Sequence, residues 1–205
     1  MTRKKTRTGV YGGTFNPVHS GHVAAAAAFV EQMALDELLI IPTYMPPHKE
    51  AYPADEPYHR LKMCKLAFAG IERAVVSDME IVRGGRSYTV DTLRALSAPG
   101  RELFLLCGSD MMLSFDTWRD FEKIFRLCQP VYVRRENDPE VARTIAEKNV
   151  EYQRKYGNSF IELKSEPIVI SSLEIREKIR RGEDVSDYLP PDVAKYIYEN
   201  RLYVR

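Results

Sequence analysis

Cysteine is scarce in this chain, with three residues, Cys64, Cys107 and Cys128, among 205. They are far apart, odd in number and without C-x-x-C spacing, which excludes a disulfide framework and a thiolate zinc site as organising features. Each stands in an apolar context suited to a small core residue, and the usage fits a cytoplasmic protein. Long hydrophobic runs are also missing. No stretch approaches a membrane span, and no apolar segment follows the basic residues 1–7, so neither a transmembrane helix nor a secretory signal is expected. An excess of one charge is absent too: 30 Lys and Arg face 29 Asp and Glu, a net of +1. That balance gives no global electrostatic case for nucleic acid or an anionic membrane as partner. Residues 1–7 read as a solvated basic tail.

What remains is the composition of an ordinary globular protein, 44% hydrophobic and 29% charged, long enough for one substantial core. No linker, internal repeat or composition shift divides it, so residues 1–205 are expected to form a single domain. Strand and helix signals alternate along it. Thr8–Tyr11, Leu38–Ile41, Ala74–Val76, Leu103–Cys107, Val131–Val133 and Phe160–Leu163 read as strands, several of them uninterrupted apolar runs of the kind buried on both faces. Helices are expected over Ser20–Met33 with Ser20 as N-cap, and over Tyr58–Ala69, Ser87–Ala98, Trp118–Leu127, Pro139–Tyr156, Leu173–Arg181 and Asp192–Arg201. The alternation predicts an α/β fold: a Rossmann-like, doubly wound parallel sheet with right-handed crossovers and helices on both faces. In such sheets a ligand sits beyond the carboxyl ends of the strands, where the strand order reverses.

The segment Gly12-Gly13-Thr14-Phe15-Asn16-Pro17-Val18-His19-Ser20-Gly21-His22 lies at such a strand end. Two glycines let backbone approach a ligand closely, a helix N-terminus presents oriented N–H groups, and two imidazoles stand three residues apart. A phosphate is met there by donors and by the positive end of the helix dipole. Zinc would need a third ligand with recognisable spacing, and none is visible.

This segment resembles the GGxFxPxHxGH signature of the nucleotidylyltransferase superfamily. Pro46-Pro47-His48-Lys49, Ser87-Tyr88-Thr89-Val90-Asp91-Thr92-Leu93, Gly108-Ser109-Asp110, Trp118, Ile170-Ser171-Ser172-Leu173-Glu174-Ile175-Arg176 and the closing Tyr196-Ile197 and Leu202-Tyr203 narrow the resemblance to the bacterial nicotinate-nucleotide adenylyltransferases. The likeness covers nearly the whole chain in the family's order. It implies adenylyl transfer from ATP to nicotinate mononucleotide, giving nicotinate adenine dinucleotide and pyrophosphate, with magnesium arriving on ATP rather than in a protein cage. The implied partners are those two substrates, with homodimerisation left open.

The resemblance also implies roles. His19 and His22 contact ATP phosphates, assisted by Gly12, Gly13, Thr14 and Phe15; a phosphate neighbour favours their charged form. Arg176 grips phosphate oxygens and Lys49 adds a mobile charge over the triphosphate. Ser171 caps the Arg176 helix and touches phosphate, within a C-terminal segment, 170–205, that completes the ATP site. Gly108 and Asp110 meet the nucleotide, an N-cap role for Asp110 being the alternative. Ser87, Tyr88 and Thr89 hold the nicotinate carboxylate on helix N–H groups, and Trp118 stacks on the pyridine ring. His48 has no clear role, and Arg119 and Arg135 have none beyond salt bridging. Leu173 departs from the family, which usually carries Thr or Ser there; Ser172 is the expected substitute for the missing hydroxyl.

Overall fold

The computed structural model describes residues 4–46, 57–165 and 170–204. Six strands, β1 Thr6–Gly13, β2 Glu37–Pro42, β3 Ala74–Val76, β4 Arg101–Gly108, β5 Gln129–Val133 and β6 Ile161–Glu162, form one sheet in the order β3-β2-β1-β4-β5-β6. Every pairing is parallel. The helices are α1 Ser20–Gln32, α2 Pro57–Ala67, α3 Met79–Arg83, α4 Thr89–Leu96, α5 Ser109–Leu113, α6 Phe121–Leu127, α7 Pro139–Tyr156, α8 Ser172–Arg180 and α9 Pro191–Glu199.

Alternation of side chains along a strand sends successive residues to opposite faces. In β4, Phe104 and Leu106 join a core with Ala25, Ala26 and Phe29 of α1, Met63 of α2, Ile175 of α8 and Val193 of α9. Leu103, Leu105 and Cys107 join the other, with Val90 and Leu93 of α4, Phe125 of α6 and Tyr152 of α7. Both faces of the sheet are therefore covered, which is why its central strands are apolar without interruption. The alanines of α1 let that helix lie low on the sheet, and Gly9 in β1 is what it lies upon. A methyl at Gly9 would collide with Leu35 Cδ1 and stand 2.9 Å from Phe29 Cε1.

Several boundaries differ from expectation. β1 begins at Thr6, so the tail expected over 1–7 loses Thr6 and Arg7 to the sheet. Arg7 donates to Met33 O at 2.9 Å and to Glu102 at 3.0 Å. His19, not Ser20, holds the N-cap position of α1 in extended conformation. The helix expected over Trp118–Leu127 starts only at Phe121; a 3-10 turn at Phe115–Thr117 precedes Trp118. The helix expected from Ser87 begins at Thr89, and the last strand shrinks to Ile161–Glu162. α3 and α5, five residues each, were not expected, because one turn and a half contains no readable period. By contrast α7 has the bounds its signals give: Asp138 accepts from Glu140 N at 2.8 Å, Pro139 opens the helix and Gly157 closes it at φ +68°.

Gly9→Ala should cost about 1–3 kcal/mol in urea unfolding, because Leu35 and Phe29, both wholly buried, must shift to admit the methyl. An unchanged midpoint would mean that α1 has room to retreat.

Candidate active site

The strand order reverses at β1, which has β2 on one side and β4 on the other. A cleft of about 1260 Å³ opens there, at the carboxyl ends of the strands. Among the described residues it brings together Gly12, Gly13, Thr14, Phe15, His19, His22, Ser87, Tyr88, Thr89, Gly108, Asp110, Trp118, Ser171, Ser172 and Arg176. Of the residues expected at the site, Lys49 lies outside the described residues, as does His48.

Gly12 lines the cleft, and a Cβ there would meet nothing within 4 Å. Gly13 is covered by the ring of Phe15, whose atoms stand 3.0 to 3.3 Å from where a Cβ would be. Phe15 reaches that position with φ +50°, in the left-handed region, and its buried ring packs edge-on against Tyr11, His22 and Phe68. Its side chain anchors the turn, leaving only its backbone for a ligand.

The two imidazoles lie together, ring centroids 3.7 Å apart at 34°. His19 N–H donates to His22 Nδ1 at 3.2 Å. An Nδ1 that accepts leaves the neutral ring's proton on Nε2, so His22 carries a donor for a ligand. His19 is 1% exposed, and neither of its ring nitrogens has a hydrogen-bond partner among the described residues. Burial, and then the positive charge of Arg135, lower the His19 pKa from 6.5 to about 4. Burial, His19 and Arg135 hold His22 well below the usual histidine range. Both rings are therefore neutral near pH 7. The charged form was expected only beside a phosphate.

Among the described residues the cleft's formal charges are Arg60, Arg119, Arg135 and Arg176 against Glu80 and Asp110. Arg176 Nη1 donates to Asn16 O at 2.6 Å and to Ser172 O at 3.3 Å, which pins α8 to the turn before His19. Ser172 Oγ donates to Pro17 O at 2.9 Å, so its proton is already committed and does not stand in for a hydroxyl at Leu173. Leu173 itself is half exposed on the cleft wall. Ser171 caps α8, accepting from Glu174 N at 3.2 Å. Asp110 is not an N-cap, since Gly108 holds that position of α5; its carboxylate lies 3.4 Å from Arg135 Nη1.

Across the cleft, the Ser87 N–H donates to Met45 O at 2.9 Å and is not available to a ligand, contrary to expectation. The Tyr88 and Thr89 N–H groups, on residues that line the cleft at the open end of α4, are the donors that remain, while Val90 is wholly buried. Arg119 lies 4.5 Å over the Tyr88 ring, and Trp118 packs on Phe115 at 5.2 Å while lining the cleft. Two lining residues had no distinguishing sequence signal. Arg60 is 1% exposed in α2, and Glu80 is 4% exposed in α3. Glu80 accepts from the Thr92 hydroxyl, and Arg83 donates to that same oxygen at 3.1 Å. Among the described residues no three His, Cys, Asp or Glu side chains converge as a metal cage, and no helix is long and apolar enough to cross a membrane.

Native His19 stays neutral until about pH 4, whereas an unfolded histidine takes up its proton near 6.5. Its contribution to stability is therefore present above pH 6.5 and is lost as pH falls toward 4. Ring-nitrogen NMR on the ligand-free protein should find His19 uncharged at pH 5.5. Titration at 6.5 would mean that the ring is solvated.

The model of the cytidylyltransferase-like family matches residues 10–178. A relative from Desulfatibacillum aliphaticivorans, named a probable nicotinate-nucleotide adenylyltransferase, is 36% identical over 97% of this chain and 100% of its own length. One of the same name from Geobacter sulfurreducens is 38% identical over 96% of this chain and 98% of its own. The solved structure of Plasmodium falciparum nicotinic acid mononucleotide adenylyltransferase complexed with NaAD superimposes with a TM-score of 0.74 at 18% identity, covering 98% of each chain; that likeness is one of fold. Family match and full-length relatives together place this chain among the cytidylyltransferase-like nucleotidyltransferases, as a member of the nicotinate-nucleotide adenylyltransferase family.

Proposed function

We propose that the cleft joins ATP to nicotinate mononucleotide, forming nicotinate adenine dinucleotide and pyrophosphate. The observation that carries this reading is that two helix N-termini, those of α1 and α4, open onto one basic cleft. One is flanked by paired imidazoles for a triphosphate. The other offers the N–H groups of Tyr88 and Thr89 to a carboxylate, with Trp118 lining the same cleft as a surface for an aromatic ring. An amide in place of that carboxylate would bring no charge to the helix dipole, so the acid is the preferred acceptor.

The 5′-phosphate of the mononucleotide is itself an anionic nucleophile, and no covalent enzyme intermediate is required. Its oxygen attacks the α-phosphorus of ATP in line; the bond from that phosphorus to the β-bridging oxygen breaks and pyrophosphate leaves. Catalysis then consists of holding two polyanions in alignment and meeting the charge that grows on the leaving group. His22 Nε2–H, the His19 ring and the Arg176 guanidinium supply the donors. A triphosphate brought against the histidines opposes the effect of burial and raises their pKa values. Magnesium, bound to the triphosphate, would screen its charge; Asp110 is the carboxylate on the ATP side of the cleft, and no protein cage is needed to hold the ion. Residues 170–204 complete the ATP subsite by bringing Ser171 and Arg176 to it.

Pyrophosphate release should be fast with ATP and nicotinate mononucleotide and much slower with nicotinamide mononucleotide or phosphopantetheine. ATP binding without pyrophosphate release from any acceptor would make the protein a nucleotide-binding module instead. His22→Ala should lower kcat on the order of a hundredfold by removing a donor to developing charge, and an unchanged kcat would remove His22 from the mechanism. Trp118→Ala should raise KM for the mononucleotide much more than for ATP; equal increases would assign the ring to packing.

A further inference from the structure

We propose that Arg60 is a positioning residue that fixes the distance between the two halves of the cleft, acting through a hydrogen-bonded rail that runs from the triphosphate turn to the acceptor helix. Arg60 belongs to α2, which supplies neither the histidines nor the first turn of α4. The residue is 1% exposed. Nη1 donates to Thr14 O at 2.9 Å, in the turn before His19, and Nη2 donates to Tyr44 O at 3.1 Å, in the loop after β2. The rail continues from there. Tyr44 N–H donates to Ser87 Oγ at 2.9 Å, and Ser87 N–H returns to Met45 O at 2.9 Å. Ser87 stands two residues before Thr89, where α4 begins. A second strut, Thr43 N–H to Gly13 O at 2.9 Å, parallels the first.

A buried cation is costly to desolvate, and Arg60 cannot shed its proton to escape that cost. The planar fork explains why arginine stands there: it delivers two N–H groups at a fixed separation to two different chain segments. Lysine carries its three N–H groups on one nitrogen and cannot reproduce two donors held at that separation. If the cleft joins two nucleotides as proposed above, on which this inference rests, a change in the rail shifts one substrate relative to the other. Neither loses its own contacts. A misplacement of about 1 Å is enough to cost on the order of a hundredfold in rate.

The test compares Arg60→Lys, Ser87→Ala and the double variant, each checked for folding by circular dichroism. Binary dissociation constants for a non-hydrolysable ATP analogue and for nicotinate mononucleotide are measured beside initial rates. Arg60→Lys should keep the ATP-analogue and mononucleotide constants within about threefold and lose on the order of a hundredfold in kcat. The double variant should lose little more than Arg60→Lys alone, since both substitutions remove links of the same series of bonds and both leave the backbone strut from Thr43 to Gly13 in place. Should Arg60→Lys not fold, Ser87→Ala carries the same expectation, a lower kcat at unchanged ATP-analogue affinity. An undiminished kcat, a loss confined to the KM of ATP, or strictly multiplicative losses in the double variant would each overturn the proposal. Wild-type protein that releases no pyrophosphate would overturn the proposed function and this inference with it. Active wild type with an equally active Arg60→Lys would overturn the inference alone.

Discussion

The position of β1 between two parallel neighbours is the constraint on which the rest depends. Because the chain leaves β1 toward β2 on one side and returns to β4 on the other, the loops beyond these strands part and cannot cover one another. Gly12 and Gly13 end β1 at that gap, and the turn that follows leads into α1, whose Gly21 lines the cleft while the Ser20 N–H donates to Tyr188 O at 2.9 Å. The Phe15 ring, buried under Gly13 and against His22, holds the turn in a backbone conformation that a bulky residue rarely adopts. Tyr203, near the far end of the chain, donates to Asn16 Oδ1 at 2.5 Å and steadies the same turn.

The cleft is unlike the two cores in one respect. There the polar groups are few; here His19 keeps two ring nitrogens and Glu80 one carboxylate oxygen without partners among the described residues. An unsatisfied buried polar group typically costs about 1–3 kcal/mol. Such groups persist in a ligand site because the ligand supplies the missing partner, and their fixed placement spares reorganisation when it does. The two adjoining histidines are neutral for a related reason. Two charged rings 3.7 Å apart would repel each other, and burial with Arg135 nearby favours their uncharged forms.

The parts of this arrangement that were legible in the sequence are those written in local signals. Apolar runs marked the buried strands, the run Pro139–Tyr156 marked α7, and the glycine pair before two histidines marked the end of β1 that opens on the cleft. What escaped depends on contacts between distant segments. Arg60 looks like any polar residue of α2, and its burial is decided by Thr14 and Tyr44, which reach it from two other loops. Glu80 sits in a helix too short to carry a period. The Ser87 N–H counted as open because nothing in its own segment announces that Met45 O already occupies it. Ser172, read as a spare hydroxyl, is engaged by Pro17, 155 residues earlier.

The most direct test of the central claim, that α1 and α4 present their donors to one ligand, is a titration with nicotinate adenine dinucleotide followed by NMR at both ends of the cleft. The His22 ring nitrogens and the Thr89 amide should shift together, with one affinity and one ligand per chain. Response at the histidines alone, or two separate affinities for the two ends, would contradict the account.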